Sequence, residues 1–307
     1  MTAIRTRLGA AASLVLMLVM AGVATASVAA TPAGGAVHGR VHNATTGAAA
    51  PGVAVQLVFI GPQGTEPVGT TRSGADGRFA FEGLPDGRYL LTARYQGISY
   101  AAHAVVSGGP VEVTVQVHDA ATEVPLRVSL LGIAVEARQG YARVSEVVHL
   151  QNPTPRTFLG DVTFPLPPGA RFVSFADGFH QPRFADGGIG DRLIVRPGSH
   201  QLAYMYSIGG SGEVRLNRRL GLPVDRLELF VTAPAEARSP RLQPLPSVTN
   251  EGQTYTRASG RAVPAGDLDL VIAGVPGTRQ WLAPAAAGAL AAALIVGLVW
   301  AVTKSSP

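Results

Sequence analysis

The stretch "TRSGADGRFAFEGLPDGRYLLTARY", residues 71–95, decides how the first part of this chain is read. Phe79 and Phe81 lie two apart and so share one face of a strand, as do Tyr89 and Leu91. Between them, Asp76-Gly77 and Asp86-Gly87 supply the backbone conformations that tight turns demand. Every residue type in the stretch thus has a folding task. A calcium site built on the two aspartates would need about six to eight oxygen ligands, and each loop offers a single carboxylate.

Outward from this stretch the same grammar continues over residues 36–118. In "VEVTVQVH", Val111, Val113, Val115 and Val117 alternate with Glu112, Thr114, Gln116 and His118, the pattern of a strand with one buried face. "VAVQLVF" repeats it with Val53, Val55, Leu57 and Phe59. Turn residues recur at intervals of about 8 to 12 positions, which predicts some seven strands in a sandwich or barrel. The spacing Val37-x-Gly39-x-Val41, the Thr46-Gly47 turn, Pro51-Gly52-Val53, Asp76-Gly77-x-Phe79 and Leu84-Pro85-x-Gly87-x-Tyr89 together resemble the carboxypeptidase regulatory-like domain, a prealbumin-like (transthyretin-like) β-sandwich. The resemblance implies a fold and no activity, since such modules are accessory domains in peptidases, transporters and surface proteins. Their similarity to starch-binding folds makes Tyr95 and Tyr100 the candidate glycan contacts, against the plainer role of packing the sandwich.

Residues 119–275 keep β patterning without a sustained helical period. "YARVSEVVHLQNP", "DVTFPLP", "DRLIVRPGSHQLAYMYSI" and "DRLELFVTAP" are alternating or short apolar runs bounded by Pro, Gly or Asn. The fold class predicted is all-β: two tandem β-sandwich domains, residues 36–118 and 119–275, the second immunoglobulin-like in architecture, followed by a single transmembrane helix. Six of the ten phenylalanines, Phe158, Phe164, Phe172, Phe175, Phe179 and Phe184, fall within 27 positions. The last three sit in "FADGFHQPRF", whose turn residues predict a surface loop. Phe175, Phe179, His180 and Phe184 are therefore the candidate partner contact, the alternative being that the rings fold back on the core.

The two ends of the chain carry address signals. Arg5 and Arg7, an apolar run to about residue 24 and the small-residue patterns near Ala26 and Ala30 read as a signal peptide in residues 1–30. Residues 281–303 lack any charged side chain, are bracketed by Arg279 and Lys304, and as a helix reach roughly 30 Å, the thickness of a bilayer's hydrocarbon layer. Trp281 and Trp300 lie near the two ends, where such rings favour the interface. Residues 31–280 are then expected outside the cytoplasm and the short tail inside. Ala285, Ala289, Ala293, Gly297 and Ala301 form a small-residue stripe suited to helix pairing.

Charge and cysteine content narrow the functions. Without Arg5, Arg7 and Lys304 the chain has 22 basic and 20 acidic residues and no block of one sign, so its high overall pI does not point to nucleic acid. The absence of Cys removes disulfides, thiol chemistry and Cys-ligated metals. Seven His residues remain, yet His38 and His42 on a strand lie about 13 Å apart, too far for a shared ion. His118-Asp119 and His180 with Asp177 are single-His fragments, and Met205 would suit only a soft metal. No G-x-S-x-G elbow or H-E-x-x-H helix is present. The expectation is a noncatalytic, cofactor-free, membrane-anchored binding or scaffold protein of the bacterial envelope, with a protein partner. The alternatives are a glycan- or peptidoglycan-binding module, or an accessory subunit of a periplasmic metal-handling or peptidase system.

Overall fold

A computed structural model describes residues 34–185, 187–250 and 252–277. The predicted signal peptide and transmembrane helix lie outside the described residues. Among the described residues there is no helix long and apolar enough to cross a membrane, and the architecture is all-β.

The first unit contains β1 (Gly35–Asn43), β2 (Ala48–Ala49), β3 (Ala54–Gly61), β4 (Gly64–Arg72), β5 (Arg78–Leu84), β6 (Gly87–Tyr95), β7 (Ile98–Val106) and β8 (Pro110–Val117). One sheet is ordered β4-β3-β6-β7. The other centres on β1, which pairs with β8 in parallel and with β5 and the short β2 in antiparallel. The alternation seen in the sequence becomes a dry layer between these sheets: Val37, Val41, Val55, Leu57, Tyr89, Leu91, Val115 and Val117 are all buried. Phe79 lies opposite Gly39 in the β1–β5 register, and its ring covers the space a side chain at Gly39 would occupy. A glycine in mid-strand is thereby explained by an aromatic that needs its place. Gly77, at φ +78°, completes the Asp76-Gly77 turn with the conformation read from the sequence.

The second unit follows through β9 (Ala120–Ala121), β10 (Arg127–Arg138), β11 (Tyr141–Asn152), β12 (Thr157–Pro165), β13 (Arg171–Asp177), β14 (Arg183–Ala185), β15 (Gly188–Val195) and β16 (Gly198–Gly209). It continues with β17 (Gly212–Arg215), β18 (Arg218–Leu220), β19 (Val224–Thr232), β20 (Glu236–Arg238), β21 (Gln243–Asn250), β22 (Gln253–Val263), β23 (Gly266–Leu268) and β24 (Val271–Val275). Its main sheet has seven strands, β13-β16-β11-β10-β19-β22-β21, faced by β14-β15-β12-β9 and by the small sheets β17-β24-β20 and β18-β23. The sheets are sandwich-like. A long-range parallel pairing builds the main sheet: β19 docks against β10 across some ninety residues of chain and brings β22 and β21 with it.

The two units are joined through polar contacts. Asp119 accepts hydrogen bonds on Oδ1 from Asn43, Tyr95 and Gln96 at 2.8, 3.0 and 3.3 Å, while its backbone carbonyl accepts from Thr157 N–H at 2.9 Å. Thr45 donates to the Pro155 carbonyl at 2.7 Å, and Arg196 donates to the Ser99 carbonyl at 2.8 Å with its guanidinium over the Tyr100 ring. Leu159 and Ile194 add apolar contact with the first core.

Candidate functional site

The predicted contact residues fall where two sheets end. Among the described residues β13 pairs only with β16 and β14 only with β15, so each is an edge strand. Between them the chain turns at Gly178, whose φ of +78° and close approach to the Gln201 carbonyl leave no room for a side chain. Asp191, nearly buried, fixes the turn by accepting the backbone N–H of His180 at 2.8 Å and of Gln181 at 2.9 Å. That carboxylate is occupied in holding the loop.

On this framework Phe179 folds inward, its ring centroid 6.2 Å from Phe164 and 6.1 Å from Tyr204, and half-buried. Phe175 packs against Phe179, ring centroids 5.2 Å apart and tilted by 57°, but stays 37% exposed, Phe184 is 50% exposed, and His180 is exposed. Phe158 and Phe164 are in the core. The aromatic cluster therefore divides: Phe158, Phe164 and Phe179 pack, and Phe175, resting on Phe179, and Phe184 present rings to solvent. Beside them lies an open groove of about 580 Å³ lined by Asp161, Thr163, Gln181, Arg183, Asp191 and Arg192. Asp161 and Arg192 face each other across β12 and β15, so the groove is of mixed charge. It could accept polar backbone or side-chain groups of a neighbour while the rings take up apolar surface.

The candidate glycan contacts sit elsewhere. Tyr100 is 3% exposed, its hydroxyl 2.9 Å from the His118 carbonyl and 3.0 Å from Thr157 Oγ1, so its ring is covered at the junction. Tyr95 is half-buried with its hydroxyl on Asp119; burial first, then the Asp119 carboxylate, raise its pKa above the ordinary tyrosine value. Asn43 of the Asn-Ala-Thr sequence is nearly buried, its amide nitrogen donating to Tyr95 and Asp119 and its oxygen accepting from Thr45 N–H. Among the described residues no three His, Asp or Glu side chains converge as metal ligands would.

One cluster was missed in the sequence. Glu146 is fully buried in the second core, and each of its carboxylate oxygens accepts two hydrogen bonds: Oε1 from Arg218 at 2.6 Å and Tyr206 at 2.7 Å, Oε2 from Arg218 at 2.7 Å and Tyr204 at 2.8 Å. Burial first, then the adjacent carboxylate, push both tyrosine pKa values well up. For Arg218, burial alone would lower the pKa, but Glu146 and the phenols outweigh it and hold the guanidinium charged. A small apolar cavity of about 50 Å³ adjoins Arg218 and Tyr204 and is lined chiefly by Leu131, Val148, Phe164 and Leu220. The available signal was Glu146 itself: it stands in register with Ala142, Val144, Val148 and Leu150, the apolar face of β11.

Comparison with known proteins gives partial likenesses. The chain is similar to a 5-hydroxyisourate hydrolase of Klebsiella pneumoniae, at 22% identity over 27% of this chain and 90% of that one, TM-score 0.23. It is similar to an M1 zinc metallopeptidase of Deinococcus radiodurans at 13% identity, TM-score 0.34, covering 50% of this chain and 43% of the peptidase, less than half its length. It is also similar to the major pilin subunit of Bacillus cereus at 13% identity over 77% of this chain and 87% of the pilin, TM-score 0.24. No curated protein matches the chain. Residues 36–118, the first sandwich from β1 through β8, match the model of the carboxypeptidase regulatory-like domain.

Proposed function

We propose that this chain is a noncatalytic binding or scaffold protein, held by residues 281–303 at the outer face of a bacterial cytoplasmic membrane, whose partner contact is the edge formed by Phe175, Phe179, His180 and Phe184. The observation that carries the reading is the exposure of Phe175 and Phe184, 37% and 50%, on the edge strands either side of the Asp191-held turn, with Phe179 beneath Phe175. Rings left partly in water at a sheet edge, with a groove of both charges on the adjoining strands, have the composition of a protein interface core and its polar rim. The glycan alternative has lost one of its two rings, because Tyr100 is covered at the junction.

The test is photo-crosslinking in native membranes, with a benzophenone amino acid in place of Phe175 or Phe184 and, as control, in place of Val68, 44% exposed on the first sandwich. A discrete protein adduct from 175 and 184 and none from 68 is expected. The same faint adducts from all three positions would end the reading.

A further inference from the structure

The second unit has two unlike ends. β11 runs twelve residues from Tyr141 to Asn152, a length of about 36 Å. The Asn152 end meets the first sandwich, through Thr45 and His118 on the Pro155 carbonyl and Asp119 on Thr157. The Tyr141 end holds the exit of the chain: Gly140 N–H donates to the Pro276 carbonyl at 2.8 Å and Val275 pairs with Gly212. From Gly277 only four steps of chain, at most about 14 Å, lead to Trp281 and the uncharged segment.

Arg171 and Phe172 lie at that same end. Arg171 pairs with Ser207, two residues before Gly209, which is itself paired with Tyr141; strand spacings put Arg171 roughly 15 Å from Pro276. Phe172 is 65% exposed and has φ +53°, a left-handed conformation costly for a bulky residue. No burial offsets that cost, and among the described residues no ring stacks on it. Val173 packs on the core and Phe175 on Phe179, whereas Phe172, on the same strand, makes no ring contact with either Phe175 or Phe179 among the described residues. Arg171 is exposed, and among the described residues no carboxylate pairs with it. A strained, exposed ring beside a free guanidinium matches the bilayer interface, where the ring enters the headgroup boundary and the cation meets lipid phosphate.

We infer that Arg171 and Phe172 dock on the lipid interface of the bilayer that holds residues 281–303, setting the second sandwich upright and displaying the first at least about 36 Å from the membrane. The inference rests on the anchored reading. A tether of four residues makes the lipid surface the neighbour this corner meets first.

The chain has no Cys, so one introduced Cys carries one nitroxide. The full chain in vesicles of phosphatidylethanolamine and phosphatidylglycerol would be labelled at Phe172→Cys, Val105→Cys or Ala293→Cys, and read by relaxation with oxygen and a polar nickel chelate. Positions 172 and 293 are expected to favour oxygen and position 105 the chelate. A label at Pro168→Cys, with Phe172 intact, should show an interfacial signal that Phe172→Ser abolishes. Water-like labels at 172 and 168 with a lipid-embedded 293 would overturn this inference alone, whereas a water-like 293 would remove the anchored reading and the inference with it. A label at 172 screened from both reagents would mean that a protein, not lipid, covers the corner, and would also overturn it.

Discussion

Arg218 sets its two terminal nitrogens on the two carboxylate oxygens of Glu146, at 2.6 and 2.7 Å, within an otherwise apolar core. The pair ties β18 to β11 and, through Tyr204 and Tyr206, to β16. Burying a charge is tolerated only when all its partners are present. Arg218→Met should therefore cost about 3–5 kcal/mol, since it leaves Glu146 charged and unpaired. Glu146→Leu combined with Arg218→Met should cost markedly less than either single change. Urea unfolding with a double-mutant cycle measures both.

The same cluster makes the fold sensitive to base. Tyr204 and Tyr206 hold their protons in the folded state well above the ordinary value of 10.0, so above that pH the unfolded chain sheds protons that the folded chain retains. Stability is accordingly full below about pH 10 and falls as pH rises further, by up to about 1.4 kcal/mol per pH unit for each tyrosine. Tyr204→Phe should lower the stability at pH 8 and flatten the decline above pH 10. Denaturant midpoints across that range test the sign.

In the first sandwich, Phe79 occupies the space above Gly39. Gly39→Ala should force the ring off its site and destabilise the domain by roughly 1–3 kcal/mol. Pairing it with Phe79→Leu should recover part of the loss. Thermal unfolding of the two variants and the pair is the check.

Asp119 gathers Asn43, Tyr95 and Gln96 at the junction. Asp119→Ala leaves three donors without this acceptor, a loss of about 1–3 kcal/mol in the junction's rigidity. Faster proteolysis near residues 118–124 and a broader small-angle scattering envelope should follow, with both sandwiches still folded.

The aromatic edge and the core should respond differently to truncation. Phe184→Ala is expected to change stability by no more than about 0.5 kcal/mol, since half its surface is already in water. Phe158→Ala, 7% exposed, should cost about 3–5 kcal/mol. If both changes prove equally damaging, the edge is part of the core rather than a contact surface.

The sequence by itself determined the strands and their inward faces: Val111 to Val117 and the phenylalanine and tyrosine pairs around Asp76-Gly77 and Asp86-Gly87 packed with the periodicity they display, because alternation and turn chemistry act within a few residues. It likewise carried the signature of the first domain in the spacing of its motif residues, Gly39 among them, although the Phe79 ring that requires this glycine comes from forty positions along the chain. Only the tertiary structure decided which strands share a sheet, because the β10–β19 pairing depends on residues far apart in the chain. It also decided that Phe179 turns inward while Phe175 and Phe184 do not, that Tyr100 is covered, and that Arg218 reaches Glu146. Those outcomes depend on which surfaces meet across the core, and burial of a side chain is a property of its neighbours rather than of its own position in the chain.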